Sequence, residues 1–265
     1  MLEPLPTLRA PDRPAPALAR SLPARAAMDW LSAGWADFRA SPLPSLAYGI
    51  FVALLSYVIL GALYWAGLLY LTLPMISGFL IVGPFFAIGL YEKSRAREEG
   101  ERIGLGRMLL VRGVPLGQLA FAGLMLGMLV LFWIRVADLL YALFFGLTPF
   151  PGAEDAFINV LTTPRGWTLI LVGTAIGGLF AAFGFALSLF SIPMILAERR
   201  DALTALGLSF AMTIQNLAPA LAWGAIVAVG LALSALTGLL GLALVFPVLG
   251  HGTWHAYKAI RRFDS

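Results

Sequence analysis

The sequence predicts an all-α membrane protein with six transmembrane helices, arranged as three helical hairpins that each follow an amphipathic helix at the cytoplasmic interface. The 265-residue chain is 60% hydrophobic and only 12% charged, which excludes an ordinary soluble domain. Its apolar stretches run for about 20 residues or more, enough for a helix to cross roughly 30 Å of hydrocarbon. Only helices and closed barrels can span lipid, and these stretches lack the alternation of a barrel strand.

The distribution of positive charge predicts the orientation of the chain. All of the 18 Lys and Arg residues except Arg135 and Arg165 fall on one side of the predicted spans. Loops rich in Lys and Arg remain cytoplasmic, so the pattern indicates a multi-pass protein of the bacterial inner membrane with both termini inside. The basic residues cluster at span ends, which fits anionic lipid headgroups as partners better than nucleic acid.

The chain divides into a tail and one membrane domain. Residues 1–24 are rich in proline and predict a flexible cytoplasmic tail, and residues 25–265 predict a single domain. The turns near residues 62–74 and near Thr237 carry no charge, which is typical of paired helices. A longer external connection containing Pro149 and Pro151 separates the third and fourth spans. The predicted spans are residues 45–72, 73–92, 115–138, 167–197, 217–236 and 239–257.

An amphipathic segment that ends in proline precedes the first, third and fifth spans. In the first of these segments Asp29, Ser32 and Asp37 lie opposite the apolar face. Each segment is expected to lie in the cytoplasmic headgroup layer with its apolar face toward the lipid. The apolar faces are Met28, Leu31, Trp35 and Phe38; Ile103, Leu105, Met108 and Leu109; and Leu203, Leu206, Phe210 and Ile214.

Local matches predict an internal repeat with copies at residues 25–96, 97–200 and 201–265. The middle copy matches more weakly, through Pro193. Three like-oriented hairpins would then surround a pseudo-threefold axis, with Pro84, Pro193 and Pro247 as kinks or hinges. The matching positions are Gly89, Tyr91 and Glu92 after Pro84, and Gly252, Trp254 and His255 at the same offsets after Pro247.

The cytoplasmic ends of the even-numbered spans hold the candidate functional residues. They could line a shared vestibule, or they could simply end helices and interact with the negative helix C-termini. His251 and His255 are one turn apart and could hold a metal or haem, but no third ligand is evident, so we predict neither metal nor cofactor. The vestibule candidates are Tyr91, Glu92, Arg95, Glu198, Arg199, His251, Trp254 and His255.

Several features of catalytic and transport proteins are absent from the sequence. There is no cysteine, and no charged residue lies clearly at the centre of a span, where proton relays and ion-coupled sites usually place one. We find no phosphate-binding loop, no zinc-protease helix and no paired catalytic carboxylates. The sequence therefore predicts a protein that is not an enzyme.

Several motifs resemble a bacterial integral-membrane family, the domain of unknown function 2189. The resemblance covers about residues 28–262 and implies a six-helix inner-membrane protein without an established activity. Members are sometimes labelled cytochrome c oxidase subunit I, but a haem–copper core needs more histidine ligands than the two present here. The motifs are Gly34-Trp35-x-x-Phe38, Gly83-Pro84 through Gly89-Leu90-Tyr91-Glu92-x-Ser94-Arg95, Ser191-Ile192-Pro193-Met194, and Pro247 through His251-x-x-Trp254-His255-x-Tyr257.

These observations favour a non-enzymatic protein that acts by association, as an accessory or assembly factor or as a lipid-associated scaffold. Its expected partners are anionic membrane lipids and a membrane protein such as a respiratory complex. The alternative is a small-molecule or lipid permease with a pseudo-threefold cavity, lined by polar residues such as Gln118, Ser188, Ser191 and Asn216. An open cavity that reaches the middle of the bundle would favour the permease.

Overall fold

The computed structural model describes residues 18–68, 71–111, 113–146 and 152–261, and this part of the chain is helical without strands. Most of the predicted tail, Arg112 and the Pro149–Pro151 connection lie outside the described residues. The helices are α1 (Ala26–Ala40), α2 (Pro42–Trp65), α3 (Thr72–Phe86), α4 (Ile88–Glu98), α5 (Leu105–Leu109), α6 (Leu116–Phe145), α7 (Ala153–Thr162), α8 (Pro164–Ser188), α9 (Ser191–Glu198), α10 (Ala202–Gln215), α11 (Leu217–Leu236) and α12 (Leu242–Ile260).

Four candidate membrane spans occur in the described ranges. They are α2, α6, α8 continued by α9, and α11, and they correspond to the predicted first, third, fourth and fifth spans. The predicted second span is divided between α3, which has 15 residues, and the charged helix α4. The predicted sixth span is α12, whose second half carries His251, His255 and Lys258. The all-helical membrane class is therefore confirmed, whereas the count of six spans stays a prediction.

Helix α12 packs against α1, α2, α4 and α11, while α3, α6 and α8 pack against one another. The predicted pairing of the first two spans differs from this arrangement, because α2 packs mainly against α12 and only slightly against α3. Glycine makes the α2–α12 contact possible: a Cβ on Gly49 would lie 2.2 Å from the carbonyl oxygen of Ala243. A hydrogen bond of 2.9 Å from the Tyr48 hydroxyl to the carbonyl of Phe86 connects α2 to α3.

The three prolines predicted as kinks lie in different local structures. Pro193 follows the break between α8 and α9 at Leu189 and Phe190, where a proline ring displaces the carbonyl four residues earlier. Pro84 lies inside α3, which ends two residues later. Pro247 lies inside α12, which continues through it to Ile260.

Helix α1 contacts the bundle through the side opposite the exposed Met28 and Trp35. Trp30, Gly34 and Asp37 are buried, whereas Met28 is 58% and Trp35 is 42% exposed. Asp37 thus lies opposite the exposed Met28 and Trp35, as its spacing indicated, and it is buried against the bundle. The reason lies in Gly34, where a Cβ would stand 2.5 Å from the Val248 carbonyl oxygen. This close approach turns the small and polar residues of α1 toward α12.

Helix α10 also turns small polar residues inward, together with Leu206 and Met212, while its other large apolar residues are on the outside. Ser209 and Thr213 are buried and donate hydrogen bonds to the carbonyl of Ala186 in α8. Leu203, Phe210 and Ile214 are exposed on the opposite side. The middle amphipathic segment forms only the five-residue helix α5, in which Met108 is buried.

Residues 18–24, which the prediction assigns to the tail, lie against the helical domain. Leu18 and Leu22 pack against the core. Asn216, at the junction of α10 and α11, accepts a hydrogen bond from the Arg20 backbone N–H and donates one to the Leu18 carbonyl. The Arg20 side chain donates to the carbonyl of Ile260 at the end of α12.

Candidate functional site

We call the end of the bundle at which α1, α4, α9 and the second half of α12 meet the charged end. Its centre is His251, which is fully buried. A hydrogen bond of 2.9 Å joins His251 Nε2 to Ser45 Oγ in α2, and one of 2.8 Å joins its Nδ1 to Ser94 Oγ in α4. Three helices that are distant in sequence therefore meet on one imidazole ring.

The directions of the hydrogen bonds around this ring follow from Lys93 and Asp37, the two charged groups at the ends of the hydrogen-bond chain that passes through it. The Lys93 ammonium can only donate, and it reaches Ser45 Oγ at 2.6 Å. The Asp37 carboxylate can only accept, and it takes the single hydroxyl proton of Ser94 at 2.6 Å. Ser45 then donates to His251 Nε2, and His251 Nδ1–H donates to Ser94. A single directed chain of hydrogen bonds thus leads from an ammonium to a carboxylate through one neutral imidazole.

Two further groups hold the carboxylate of Asp37. His255 Nε2 donates to Asp37 Oδ2 at 3.0 Å, and the guanidinium of Arg97 pairs with Oδ1. Burial raises the pKa of Asp37, but the hydrogen bonds from His255 and Ser94 outweigh it, so the pKa lies below its ordinary value. Asp37 is therefore ionised at neutral pH and anchors α1 to α4 and α12.

Glu92 is the centre of a second ionic group at the charged end. It is 1% exposed and accepts hydrogen bonds from Arg95 at 2.7 Å and 2.9 Å. Arg107 of α5 donates to its other oxygen at 3.2 Å and also pairs with Glu101. Both oxygens of Glu92 are thus occupied by arginine, which ties α5 to α4.

Glu198, at the end of α9, is the centre of a third group. Arg261 binds it with two parallel hydrogen bonds of 2.8 Å and 3.0 Å, the bidentate geometry that suits a guanidinium. The Tyr257 hydroxyl and Arg200 Nε also donate to this carboxylate, each at 2.8 Å. The group connects α9 to the C-terminal end of α12.

Most of the predicted vestibule residues take part in these contacts, and they belong to three separate groups. His251 and His255 share the Asp37 group, Glu92 and Arg95 form another, and Glu198 belongs to a third. Tyr91 and Trp254 are buried, with the Trp254 indole donating to Glu98 at 3.0 Å. Arg199 is exposed at the C-cap of α9 with φ of 52° and forms no ion pair within the described residues.

The histidine rings are engaged in hydrogen bonds with serine and aspartate. Across the described ranges no three His, Asp or Glu side chains are placed to hold a metal ion. Every buried side-chain nitrogen and oxygen in those ranges also has a hydrogen-bond partner. The charged end therefore presents satisfied polar groups, an arrangement that joins helices.

Asp37 and Ser45 were missed as site residues by sequence reasoning. Asp37 was identified only as lying opposite the apolar face of its helix, and Ser45 is an ordinary small residue at the start of a span. One available signal was the composition of α1, in which Gly34 and Asp37 lie one turn apart on the same side. A glycine and an ionisable residue on one side of a helix can mark a close, polar helix contact.

Lys93 gives a test of the directed chain that depends on pH. Desolvation lowers the pKa of Lys93 to about 8, a change that Arg97 assists and Asp37 opposes. The unfolded chain therefore binds more protons than the folded chain between about pH 8 and the ordinary lysine pKa of 10.5. Because stability rises with pH wherever the unfolded state binds more protons, the wild-type protein should gain melting temperature over this range relative to Lys93→Met.

The measurement is the apparent melting temperature of both proteins in detergent from pH 7 to pH 10.5, followed by tryptophan fluorescence. The difference between the two proteins cancels the titration of groups that are distant from Lys93. A difference that stays constant with pH would contradict a buried ammonium at position 93.

Comparison with known proteins supports the membrane assignment. Residues 72–197 match the model of a family described as "Predicted integral membrane protein (DUF2189)". No curated protein and no solved structure matches the chain. The match extends from α3 through α9, and the motifs around Gly34 and Pro247 lie outside it. Over residues 72–197 the chain therefore matches the DUF2189 family of predicted integral membrane proteins, the family that its motifs resemble.

Proposed function

We propose that the protein is a non-enzymatic component of the bacterial inner membrane that acts by association, as an accessory or assembly factor or as a lipid-associated scaffold. The observation that carries this proposal is the pairing of the charged end. Asp37, Glu92 and Glu198 each accept hydrogen bonds from two or more side chains of the same chain. Carboxylates used in this way join helices and are not left to bind a substrate.

The space between the helices also favours association over transport. A pocket between α3, α8, α11 and α12 has a volume of about 50 Å³ and is lined mainly by apolar side chains, among them Phe79, Leu80, Phe185 and Phe246. Small-molecule sites typically measure about 300–1,000 Å³. The permease alternative needs a polar route through the middle of the bundle, and this pocket is neither polar nor large.

The proposal includes six spans with the charged end in the cytoplasm. Helices α3 and α12 would then cross the membrane as the second and sixth spans, with their polar continuations extending beyond the headgroups. Exposed apolar side chains on α2, α6 and α11, such as Val58, Leu131 and Val229, suit a lipid-facing surface. Arg95, Arg107 and Lys258 would lie on the side where basic residues are retained.

Contacts made by matching positions support the proposed repeat. Gly89 lies five residues after Pro84, and a Cβ there would stand 2.2 Å from the carbonyl oxygen of Met108 in α5. Gly252 lies five residues after Pro247, and its Cβ would stand 3.1 Å from the carbonyl oxygen of Trp30 in α1. In both copies the glycine five residues after the proline allows a close approach by the backbone of an amphipathic segment, and that segment belongs to a different copy.

The test is purification of the tagged full chain from its own membranes in mild detergent, with co-purifying proteins identified by mass spectrometry. We expect a membrane protein, such as a respiratory-complex or assembly component, in near-equal amount to the chain. An unrelated tagged multi-pass protein purified in parallel serves as the control. A chain that purifies alone, and that speeds the release of small solutes from vesicles, would contradict association and favour the permease.

A further inference from the structure

An apolar groove runs along the outside of the bundle between α11 and α12. Its volume is about 520 Å³, within the range of roughly 300–1,000 Å³ that is usual for small-molecule sites. Its lining side chains are almost wholly apolar and include Leu31, Trp35, Ile226, Val229, Val245 and Val248. Helix α1 closes one end, because it crosses α12 where Gly34 meets Val248.

Two small residues of α11, Ala225 and Gly230, lie along the groove. Gly230 has no side chain, and a Cβ there would stand 2.9 Å from Val245 and 3.1 Å from Leu249. Ala225 is exposed and lines the groove nearer to α1. A larger residue at Ala225 would fill the groove, whereas Gly230 is already in close contact with α12.

The dimensions of the groove identify the kind of molecule that fits it. Its α11 side runs from Ala225 to Leu233, which at 1.5 Å per residue is about 12 Å, close to the roughly 15 Å of one leaflet of hydrocarbon. A lipid acyl chain extends through one leaflet. A partner transmembrane helix is about 10 Å wide and crosses both leaflets, so it would contact far more of α11 than this groove.

Charge at the α1 end points to a phosphate headgroup. Arg39 is exposed and lies four residues after Trp35, and therefore on the same side of α1. Within the described part of the chain it pairs with no acidic side chain. Tryptophan is enriched at the membrane interface and arginine binds phosphate well, so Trp35 and Arg39 together suit the headgroup region of an anionic lipid.

From these features we infer that the groove between α11 and α12 binds one acyl chain of an anionic phospholipid, whose phosphate interacts with Arg39. The inference rests on the proposed lipid association and deepens it by naming the site. The lipid would extend the contact between α11 and α12, and would cover apolar surface where α1 crosses α12.

Photo-crosslinking of the full chain in vesicles tests this site. The vesicles contain phosphatidylethanolamine with a minority of phosphatidylglycerol that carries a diazirine on one acyl chain, and adducts are mapped by mass spectrometry. We expect adducts concentrated on residues 225–233 and 244–249. Ala225→Trp fills the groove and should lower this labelling about tenfold, which corresponds to about 1.4 kcal/mol of binding free energy.

Two control variants keep the result interpretable. Ala228→Trp places the same side chain on an exposed position of α11 outside the groove and should leave labelling unchanged. Arg39→Gln should lower labelling by phosphatidylglycerol but not by a diacylglycerol probe, which carries the same acyl chains and no phosphate. Excess unlabelled phosphatidylglycerol should compete with the probe in the wild-type protein, a result that does not depend on the folding of any variant.

Labelling spread evenly over α2, α6 and α11, or unchanged by Ala225→Trp, would overturn the proposed site. Crosslinking of a polypeptide to the groove would also overturn it, since the occupant would then be a protein. None of these results decides the co-purification experiment, which can still find a partner protein. Failure of the groove is thus distinguishable from failure of the proposed function.

Discussion

Replacing Asp37 by Asn should destabilise the folded protein by about 2–4 kcal/mol, because it removes a buried carboxylate that is paired on three sides. The amide keeps the shape of the side chain but cannot accept from Ser94, His255 and Arg97 as a charged group does. For a protein of this size we expect an apparent melting temperature lower by roughly 5–10 °C. Tryptophan fluorescence or gel filtration of heated samples in detergent measures it.

Asp29→Asn is the matched control for this substitution. Asp29 is on the same helix and is exposed, so the control makes the same chemical change without removing a buried contact. We expect a change within about 0.5 kcal/mol for it, as for most surface substitutions. Equal melting temperatures for the two variants would show that the Asp37 group contributes little to the stability of the fold.

Gly34→Ala should be destabilising by about 1–3 kcal/mol or more, although alanine is the better helix former. Its Cβ would lie 2.5 Å from the carbonyl oxygen of Val248 and 2.6 Å from the backbone nitrogen of Gly252. Both atoms belong to the backbone of α12, so no side chain can move aside and α1 must shift. The shift would also lengthen the hydrogen bond between Asp37 and His255.

Gly207→Ala is the control for the α1–α12 contact. Gly207 lies inside α10, and a Cβ there would meet no atom within 4 Å. Alanine at this position should therefore stabilise the protein by about 0.5–1 kcal/mol. Opposite signs for the two glycine substitutions, read as shifts in melting temperature, are the expected result. A stabilising Gly34→Ala would contradict the close crossing of α1 and α12.

The hydrophobic pattern predicts the long helices well. The predicted span at residues 217–236 has the bounds of α11, and the span at residues 115–138 begins within one residue of α6, which continues to Phe145. A run of about 20 apolar residues leaves the backbone few alternatives in lipid. Short or polar helices were less predictable. Helix α12 carries two histidines and a lysine, so its second half resembles a soluble helix, and α3 is interrupted two residues after Pro84.

The partners of the charged residues could not be predicted from spacing along the chain. Ser45 and His251 are 206 residues apart, and Asp37 and His255 are 218 apart. The face of α1 that turns inward is determined by the close packing of Gly34 against Gly252 of α12. This packing depends on the shapes of both helices, and the hydrophobic pattern of one helix does not predict it. The sequence therefore indicated which helix ends carry charge, but not which charges meet.

The central position of α12 has a consequence for the biosynthesis of the protein. At about 5–20 residues per second, the ribosome makes His251 roughly 10–40 s after Ser45. Throughout that interval α1 and α2 lack the surface that covers Gly34 and Gly49, and Asp37 has no histidine beside it. Until α12 is made, the close contacts of α1 and α2 with it, and the hydrogen bond from His255 to Asp37, cannot form. Packing of the N-terminal half is completed only when the final helix arrives.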